Sequence, residues 1–385
     1  MNMFKKFKHY KNPVEIILGF ESRLELKRKL RSGKYKILSS KRGKEVLIKD
    51  RFLGEFIEKE NIIDCINNYP EISLIENLYK KLVNEDIEII VGFGGGSVID
   101  AAKLIGICLS IKEKNLSINE FLMGKTHFNI KNQIKTICLP TTFGTGSEVT
   151  PFATFWDFKA KKKYSFNSPE IYPSTSIIDH ELAIGMPKPV IISTGLDAIN
   201  QAIESLWNKN ATKISKELSI DAFVKGVAAL YCLNVDQNDL NSWEKMSECS
   251  LFAGLAISET KTALCHSISY PMTTHFGVPH GIACAFTMPS VLEFCLDYDD
   301  GRFKKLAESL NIENDYKINL KNLFERINQY FGIEKIIKKY INNEKELLSL
   351  VGEMYDPERA KNLMKKASYS DIEIILKNSY QNSPP

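Results

Sequence analysis

One short segment, residues 87–105, constrains the fold more than any other. A strand-like apolar run at 87–91 leads directly into the glycine-rich sequence Gly-Phe-Gly-Gly-Gly-Ser at 92–97, and a helix-forming sequence follows at 98–105. Glycines between a strand and a helix let backbone N–H groups approach a phosphate closely, and the helix dipole favours its negative charge. Because Ser97 stands where the fingerprint G-x-G-x-x-G has its last glycine, a simple tight turn is the alternative. The position between a strand and a helix favours phosphate binding.

The rest of the first half alternates strand patterns with helix patterns. We predict strands at 13–19, 35–40, 134–139, 164–167 and 175–179, helices at 22–30 and 72–83, and a polar turn at 41–44. This alternation predicts a parallel sheet covered by helices, an α/β Rossmann-like arrangement. The strand at 134–139 enters a second loop, 140–150, whose hydroxyl groups and glycines suit the ribose, phosphate or amide of a nucleotide. An ordinary hydrophilic loop is the alternative.

The second half is predicted to be all-helical, because the strand pattern disappears beyond Pro189. Helical patterns occupy 195–207, 215–230, 242–257, 289–294, 303–310, 319–330 and 344–354, and two short helices are expected within 356–378. Asp356 and Pro357 fit the N-cap and the first position of the earlier of these two. Pro187 and Pro189 punctuate the chain between the two patterns. We therefore predict an α/β dinucleotide-binding domain at 1–186 and an all-α metal-binding domain at 187–385.

Charge and cysteine usage argue against several classes of function. The net charge of +4 is small for 385 residues, which does not support binding to a nucleic acid. The eight cysteines form no C-x-x-C pair, which argues against a zinc ribbon, a redox motif or a disulfide framework and favours a cytoplasmic protein. The basic N-terminus has no apolar run behind it, as a signal peptide would, and no stretch approaches about 18 uninterrupted apolar residues, so we expect no membrane span.

The histidines cluster in one short stretch that indicates a metal site. Of the six histidines in the chain, three (His266, His275 and His280) fall within it. Asp197 and Gln201 are four residues apart and share one face of a predicted helix. One carboxylate, one amide and two imidazoles suit Fe²⁺ or Zn²⁺ better than Ca²⁺, so we predict Asp197, Gln201, His266 and His280 as ligands. The alternatives are unrelated core or surface histidines, a carboxylate favoured by the helix dipole and a surface amide.

Four motifs, in this order along the chain, resemble the iron-containing (group III) alcohol dehydrogenases. They are Gly-Gly-Gly-Ser-Val-Ile-Asp at 94–100, Pro-Thr-Thr-x-Gly-Thr-Gly-Ser-Glu at 140–148, Gly-Leu-Asp-Ala at 195–198, and His266 with Pro-His-Gly at 279–281. The resemblance covers nearly the whole chain. It implies an N-terminal Rossmann-like domain that binds a nicotinamide dinucleotide, a helical domain that holds the metal, and catalysis in the cleft between them. It also implies an oligomer, most simply a homodimer.

The same resemblance implies a role for individual residues. Gly95, Gly96, Ser97 and Asp100 fall on the pyrophosphate-loop positions, and Thr141, Thr142 and Ser147 fall on the second nucleotide loop. Lys163 falls on a lysine that approaches the cofactor. Asp197, His266 and His280 fall on metal ligands.

Two departures from the family pattern point to a subgroup. Gln201 and Tyr270 stand where many members have histidine, the second of these being thought to aid proton transfer. The sequence around these departures is similar to the phosphonoacetaldehyde reductases, which reduce phosphonoacetaldehyde to 2-hydroxyethylphosphonate. Lys261, five residues before His266, would help to line the cleft and serve a substrate with a phosphonate dianion. An exposed lysine, or one that contacts the cofactor, is the alternative.

The end of the strand at 35–40 bears on the choice of cofactor. NAD-dependent relatives commonly have an acid there that binds the ribose 2′-OH, whereas this chain has Ser40 followed by Lys41 and Arg42. These residues would not repel a 2′-phosphate and could bind it. We therefore predict that NADP(H) is preferred over NAD(H), with Fe²⁺ as the metal and Zn²⁺ possible.

These residues together predict the reduction of a small, anionic aldehyde to an alcohol. The metal would polarise the carbonyl, the nicotinamide would deliver a hydride, and a proton would come from water or through Tyr270 or His275. One rival is a lyase similar to dehydroquinate synthase, which shares this architecture. Another is a binding protein that lost activity with Gln201. Within the dehydrogenases, a short-chain alcohol or lactaldehyde is the alternative substrate.

Overall fold

The computed structural model describes residues 10–31, 33–64, 66, 69–111, 117–126, 130, 133–157, 160 and 162–381. The basic N-terminus and the Ser-Pro-Pro tail lie outside these residues. The strands of the described chain are β1 (Glu15–Leu18), β2 (Tyr35–Ser39), β3 (Ile62–Asp64), β4 (Ile89–Gly94), β5 (Lys135–Pro140), β6 (Phe152–Asp157), β7 (Lys162–Asn167) and β8 (Thr175–Ile178).

Six of these strands form one parallel sheet in the order β1-β8-β5-β4-β2-β3. Its central strand, β4, is buried at every residue, as expected for a parallel sheet with both faces covered. Strands β6 and β7 form a separate antiparallel ribbon. The helices of this half are α1 (Glu25–Leu30), α2 (Lys41–Lys49), α3 (Leu53–Phe56), α4 (Ile72–Leu82), α5 (Gly96–Ile111) and α6 (Ile118–Leu122).

The described residues after Lys188 form no strand that takes part in a sheet. Their helices are α7 (Lys188–Leu206), α8 (Lys213–Val235), α9 (Leu240–Thr260), α10 (Leu264–Phe276), α11 (His280–Leu296), α12 (Arg302–Ser309), α13 (Tyr316–Tyr330), α14 (Ile333–Tyr340), α15 (Glu344–Leu348), α16 (Val351–Met354), α17 (Pro357–Ala360) and α18 (Tyr369–Gln381). A large apolar core joins these helices. The predicted fold class, a parallel α/β sheet followed by a helical region, is confirmed.

Helix α8 is long and apolar enough to cross a membrane by length and composition alone. In the structure it packs against α7 and α9, which belong to the same apolar core. Its large side chains Phe223 and Leu230 are fully buried there. These buried side chains make α8 a helix of the protein core.

The structure differs from four local predictions. The polar turn at 41–44 is wrong: Lys41 begins α2, and Ser40 caps this helix by accepting a hydrogen bond from the Gly43 backbone. The strand at 164–167 exists, but it pairs with the unpredicted β6 rather than joining the parallel sheet. Helix α10 was not predicted, because Pro271 in its interior reads as a helix breaker in the sequence. Similarly, the short helix at 289–294 is part of α11, which contains Pro289.

Candidate active site

A cavity of about 660 Å³ lies where the loops after the central strands face the helical half. Strands β4 and β5 are neighbours and parallel, so the loops that follow them emerge side by side at one edge of the sheet. Both halves of the chain contribute to the wall: Gly96, Ser97 and Thr145 from the first, and Asp197, His266 and His280 from the second. The two sets of residues that the sequence singled out therefore share one cavity.

The glycine-rich loop is packed tightly against the hydroxyl-rich loop. A Cβ atom on Gly96 would lie 2.4 Å from the Thr145 methyl group, and one on Gly95 would lie 3.1 Å from the Thr142 hydroxyl oxygen. Glycine is therefore required for this close approach at Gly96, where α5 begins. Gly96 and Ser97 place the N-terminus of α5 on the cavity wall, the position at which a helix favours an anion.

Asp100 lines the cavity but is also tied to the surrounding protein. Its carboxylate accepts hydrogen bonds from the Ser147 hydroxyl and from both the backbone N–H (2.9 Å) and the hydroxyl (2.8 Å) of Thr154. The buried Lys103, one turn further along α5, donates to the carbonyl oxygens of Ser147 and Phe152. Burial lowers the pKa of Lys103. These two residues fasten the hydroxyl-rich loop and β6 to α5, a structural task that the sequence did not reveal.

Four side chains from the helical half converge on one point beside the cavity, and three of them, Asp197, His266 and His280, line it. One ligand atom each from Asp197, His266, His280 and Cys284 lie within 4.8 Å of one another. The Asp197 Oδ1 atom is 3.4 Å from His266 Nε2 and 3.9 Å from His280 Nε2. Gln201, one turn after Asp197 on α7, is also buried and lines the same cavity. The structure thus brings together all four residues predicted as metal ligands and adds Cys284.

Two hydrogen bonds orient the imidazoles towards this point. The fully buried Glu204 carboxylate lies 2.8 Å from His266 Nδ1 and also accepts the backbone N–H of Cys265. The Ser269 hydroxyl lies 3.2 Å from His280 Nδ1. A partner on Nδ1 leaves Nε2 of each ring directed at the cluster, as in metal sites whose histidines are held by a carboxylate. Glu204 was missed, although its position seven residues after Asp197 puts both on one face of α7.

Gly281 explains how His280 reaches Asp197 across two helices. A Cβ atom on Gly281 would lie 1.7 Å from the Ser193 carbonyl oxygen, so only glycine allows α11 to approach α7 this closely. Its neighbour His280 is the first residue of α11. Burial and the positive charge of Lys163 lower the pKa of His280 to about 3. His280 is therefore a neutral imidazole, the form that binds a metal.

The donor atoms of this cluster fit a divalent metal ion. Among the residues that the structure describes, the buried oxygens Asp197 Oδ1 and Gln201 Oε1 have no hydrogen-bond partner. An unpaired buried oxygen costs about 1–3 kcal/mol, which a bound cation would offset. Burial alone would lower the pKa of His266, but the neighbouring Cys284, Glu204 and Asp197 raise it well above its usual value, so a metal ion would displace a proton from this ring. A carboxylate, two imidazoles, an amide and a thiol are donors that Fe²⁺ and Zn²⁺ accept.

Positively charged side chains lie next to this group of candidate metal ligands. Tyr270 stacks on the His280 ring with 5.5 Å between centroids, and Lys163 Nζ and Arg359 Cζ lie 4.0 and 4.9 Å from the centre of the Tyr270 ring. Burial alone would raise the pKa of Tyr270, but the charges of Arg359 and Lys163 outweigh it, and the pKa is lowered. Arg359 lines the cavity and was missed by the sequence, even though it lies only three residues after the predicted N-cap Asp356.

Lys261 also lines the cavity, and its backbone conformation is unusual. Its φ and ψ of 62° and 170° lie in a region that residues other than glycine rarely adopt. The Asn208 side chain supports this conformation by donating to the carbonyl oxygens of Thr260 (3.0 Å) and Lys261 (3.3 Å). The Asn167 amide lies 3.3 Å from Lys261 Nζ. A strained residue held in a cavity is a candidate for a functional role.

The structure does not bring every predicted residue to the cavity. His275 does not occur among the described residues that line it. Its Nε2 instead lies 2.8 Å from the exposed Glu353 carboxylate, because the last turn of α10 carries it away from His266. Thr141 and Thr142 lie behind the glycine-rich loop, with the Thr141 N–H donating to Gly94. Ser40 and Lys41 lie at the start of α2, beyond the described cavity wall.

Two family models match the chain along most of its length. The model "Iron-containing alcohol dehydrogenase" matches residues 13–180. The model "Fe-containing alcohol dehydrogenase family, C-terminal" matches residues 191–380. The gap between the two matches contains Pro187, which precedes α7.

Individual proteins show the same similarity. The NADPH-dependent butanol dehydrogenase of Clostridium saccharobutylicum is 28% identical over 309 residues, covering 78% of this chain and 79% of that protein. The phosphonoacetaldehyde reductase of Streptomyces viridochromogenes is 31% identical over 209 residues, or 54% of this chain and 53% of that protein. The structure of sulfoacetaldehyde reductase from Bifidobacterium kashiwanohense in complex with NAD⁺ has a TM-score of 0.85 at 24% identity, with 98% of this chain and 100% of that chain covered.

Proposed function

The chain belongs to the iron-containing alcohol dehydrogenase family and is an oxidoreductase of that type, and from this premise we propose that it reduces a small anionic aldehyde, phosphonoacetaldehyde, to the alcohol 2-hydroxyethylphosphonate. Relatives of this chain carry the names of alcohol dehydrogenases and aldehyde reductases. In this proposal residues 1–186 bind the dinucleotide and residues 187–385 hold the metal. The homodimer stays a prediction from the resemblance, and the cytoplasmic location stays a prediction from cysteine usage.

The positively charged side chains around the candidate metal ligands support an anionic substrate. Lys163 and Arg359 flank Tyr270, which stacks on His280, and Lys261 lines the same cavity. The Asp356 carboxylate occupies the Arg359 Nη1 atom, but a guanidinium has five N–H donors and can still bind an oxyanion. A neutral aldehyde has no group that these charges could bind, whereas a phosphonate or sulfonate two bonds from the carbonyl would pair with them.

The chain's own residues divide the remaining work of the reaction. Asp197, Gln201, His266 and His280 would hold the metal, with Glu204 fixing the orientation of His266. A bound divalent ion would supply Lewis-acid polarisation of the carbonyl, and the nicotinamide would supply the hydride. The Tyr270 Oη atom is our candidate for passing a proton to the product, because Tyr270 lines the cavity and His275 does not. The lowered pKa of Tyr270 favours such a transfer.

We propose NADP(H) as the preferred cofactor, with NAD(H) as the weaker one. The support is local: β2 ends next to β4, and it is followed by Ser40 and by Lys41 in the first turn of α2 rather than by an acid. The exposed Lys41 at the N-terminus of α2 would attract a 2′-phosphate, whereas an acid at this position would repel it.

A comparison of substrates tests the proposed function. We expect kcat/KM for phosphonoacetaldehyde to exceed that for propanal by at least about tenfold, since one charge-assisted hydrogen bond contributes about 1.5–3 kcal/mol. Sulfoacetaldehyde, with one negative charge fewer, should fall between them. The measurement is the loss of reduced-cofactor absorbance, with NADPH and NADH compared at equal concentration. Equal kcat/KM for phosphonoacetaldehyde and propanal would favour a general short-chain alcohol dehydrogenase, and no turnover of any aldehyde would reopen the lyase and binding-protein alternatives.

The replacement Lys261→Gly should raise stability and lower activity at the same time. Glycine relieves a backbone strain of about 1–3 kcal/mol and costs part of that in unfolded-state entropy, so we expect the free energy of unfolding to rise by about 1 kcal/mol. Loss of the ammonium should lower kcat/KM for phosphonoacetaldehyde about tenfold. Chemical denaturation and the aldehyde assay measure the two effects.

Asp315→Gly is the control for this prediction, because Asp315 also has a positive φ (42°) and makes no capping hydrogen bond at the start of α13. It should leave activity unchanged. If Lys261→Gly keeps full activity on phosphonoacetaldehyde, Lys261 takes no part in binding the substrate.

A further inference from the structure

Cys284 lies in the group of candidate metal ligands with Asp197, His266 and His280. In the sequence it was one of several scattered cysteines that were expected to be buried. It follows His280 by four residues on α11, so the two side chains share one face of the helix. The Cys284 Sγ atom lies 3.9 Å from His280 Nε2, and it belongs to the group whose ligand atoms are all within 4.8 Å of one another. The side chain is fully buried.

The distances in this group suit a single tetrahedral ion. Zinc bonds of about 2.0–2.1 Å to nitrogen or oxygen and about 2.3 Å to sulfur place the ligand atoms of a tetrahedron about 3.3–3.7 Å apart. The observed separations of 3.4 Å between Asp197 and His266 and 3.9 Å from His280 to both Asp197 and Cys284 are close to these values. The remaining separations in the group are within 4.8 Å, so the side chains would close by up to about 1 Å around a bound ion.

Cys284 and Gln201 are the alternative fourth donors. The Asp197 carboxylate and the buried Glu204 carboxylate beside His266 together match the charge of a divalent ion. Burial raises the pKa of the Cys284 thiol, so a thiolate would form only as a metal binds and releases the proton. Thiolate ligands also shift the preference of a site towards Zn²⁺ and away from the harder Fe²⁺.

We propose that Cys284 is a metal ligand, which makes an Asp-His-His-Cys site that prefers Zn²⁺ over Fe²⁺. The inference rests on the proposed metal site but not on the identity of the aldehyde. Gln201 then contributes a weaker, neutral oxygen beside the ion. The competing explanation is that Cys284 packs against the imidazoles as a small apolar side chain.

Cobalt substitution in the whole 385-residue chain distinguishes these two explanations. A thiolate bound to Co²⁺ gives an intense charge-transfer band in the near ultraviolet, in addition to the visible bands that any tetrahedral Co²⁺ site shows. We expect both features in the wild-type protein and the loss of the near-ultraviolet band alone in Cys284→Ser. Cys295→Ser, which replaces another fully buried cysteine on the same helix, is the matched control and should keep the band.

Competition with a chelator gives a second measurement that does not depend on activity. Cys284→Ser should weaken Zn²⁺ binding by about 100-fold and Fe²⁺ binding by less, so that the preference for Zn²⁺ falls. Visible Co²⁺ bands without the near-ultraviolet band in the wild type would overturn the proposal while leaving the metal site intact. Failure of the wild type to bind Co²⁺, Zn²⁺ or Fe²⁺ at all would overturn the metal site itself. Because the wild-type spectrum decides the question, poor folding of the variant would not obscure it.

Discussion

Replacing His280 by alanine is expected to empty the metal site and to lower kcat/KM for aldehyde reduction by about 10³-fold or more. The imidazole approaches the cluster at the junction of α7 and α11, and a Lewis acid at this point supplies several kcal/mol of stabilisation to the developing negative charge. The fold should survive, since the His280 side chain is 23% exposed and its hydrogen-bond partners among the described residues are Ser269 and, at 3.9 Å, Cys284.

Metal content per chain and the aldehyde assay are the measurements for this variant, and His275→Ala is its control. His275 is also a histidine of the same stretch, but it faces Glu353 at the surface. We expect its replacement to leave activity within about twofold of the wild type, because an exposed ion pair contributes little. A His280→Ala protein that keeps its metal and its activity would contradict the site, and a large loss in His275→Ala would restore His275 as a proton donor.

Replacing Arg359 by methionine is expected to change which aldehydes the enzyme accepts. Methionine keeps an unbranched stem beside Tyr270 but removes the charge, so kcat/KM for phosphonoacetaldehyde should fall about 10- to 100-fold. The value for propanal should change by less than about threefold, since propanal has no group for the guanidinium to bind. Asp356 still caps α17 through the backbone N–H groups of Glu358 and Arg359, so the local fold should hold.

Arg326→Met is the matched control for Arg359→Met, because Arg326 is an exposed arginine on α13 that does not line the described cavity. It should leave both kcat/KM values unchanged. Equal losses for phosphonoacetaldehyde and propanal in Arg359→Met would mean that Arg359 supports the cavity wall or the cofactor rather than the anionic end of the substrate.

The elements that the sequence predicted correctly are those whose signal is local. Strand β4, the glycine-rich loop and α5 follow one another without interruption, and hydrophobic pattern and glycine content suffice to recognise such a unit. The errors occur where tertiary packing overrides a local signal. Pro271 and Pro289 stand inside α10 and α11, because the buried faces of these helices stabilise them more than one lost hydrogen bond destabilises them.

The residues of the candidate site also fall into two groups: those that the sequence identified and those that only the structure revealed. The sequence by itself singled out Asp197, His266 and His280, because carboxylate and imidazole groups in recognisable motifs carry their chemistry with them. Glu204, Cys284 and Arg359 are common residue types without a motif of their own, and they gain a role only from their neighbours: a ring nitrogen at 2.8 Å, a cluster of ligand atoms, and a tyrosine ring stacked on His280.

The sequence alone thus determined the α/β order of the first half, the helical second half and the chemical types at the centre of the site. Only the tertiary structure decided that His275 leaves the cavity, that Arg359 lines it and that Cys284 joins the cluster of Asp197, His266 and His280. The physical reason is distance: hydrophobic periodicity and turn chemistry act over a few residues, whereas Asp197, Cys284 and Arg359 are far apart in the chain and meet only when the helices pack.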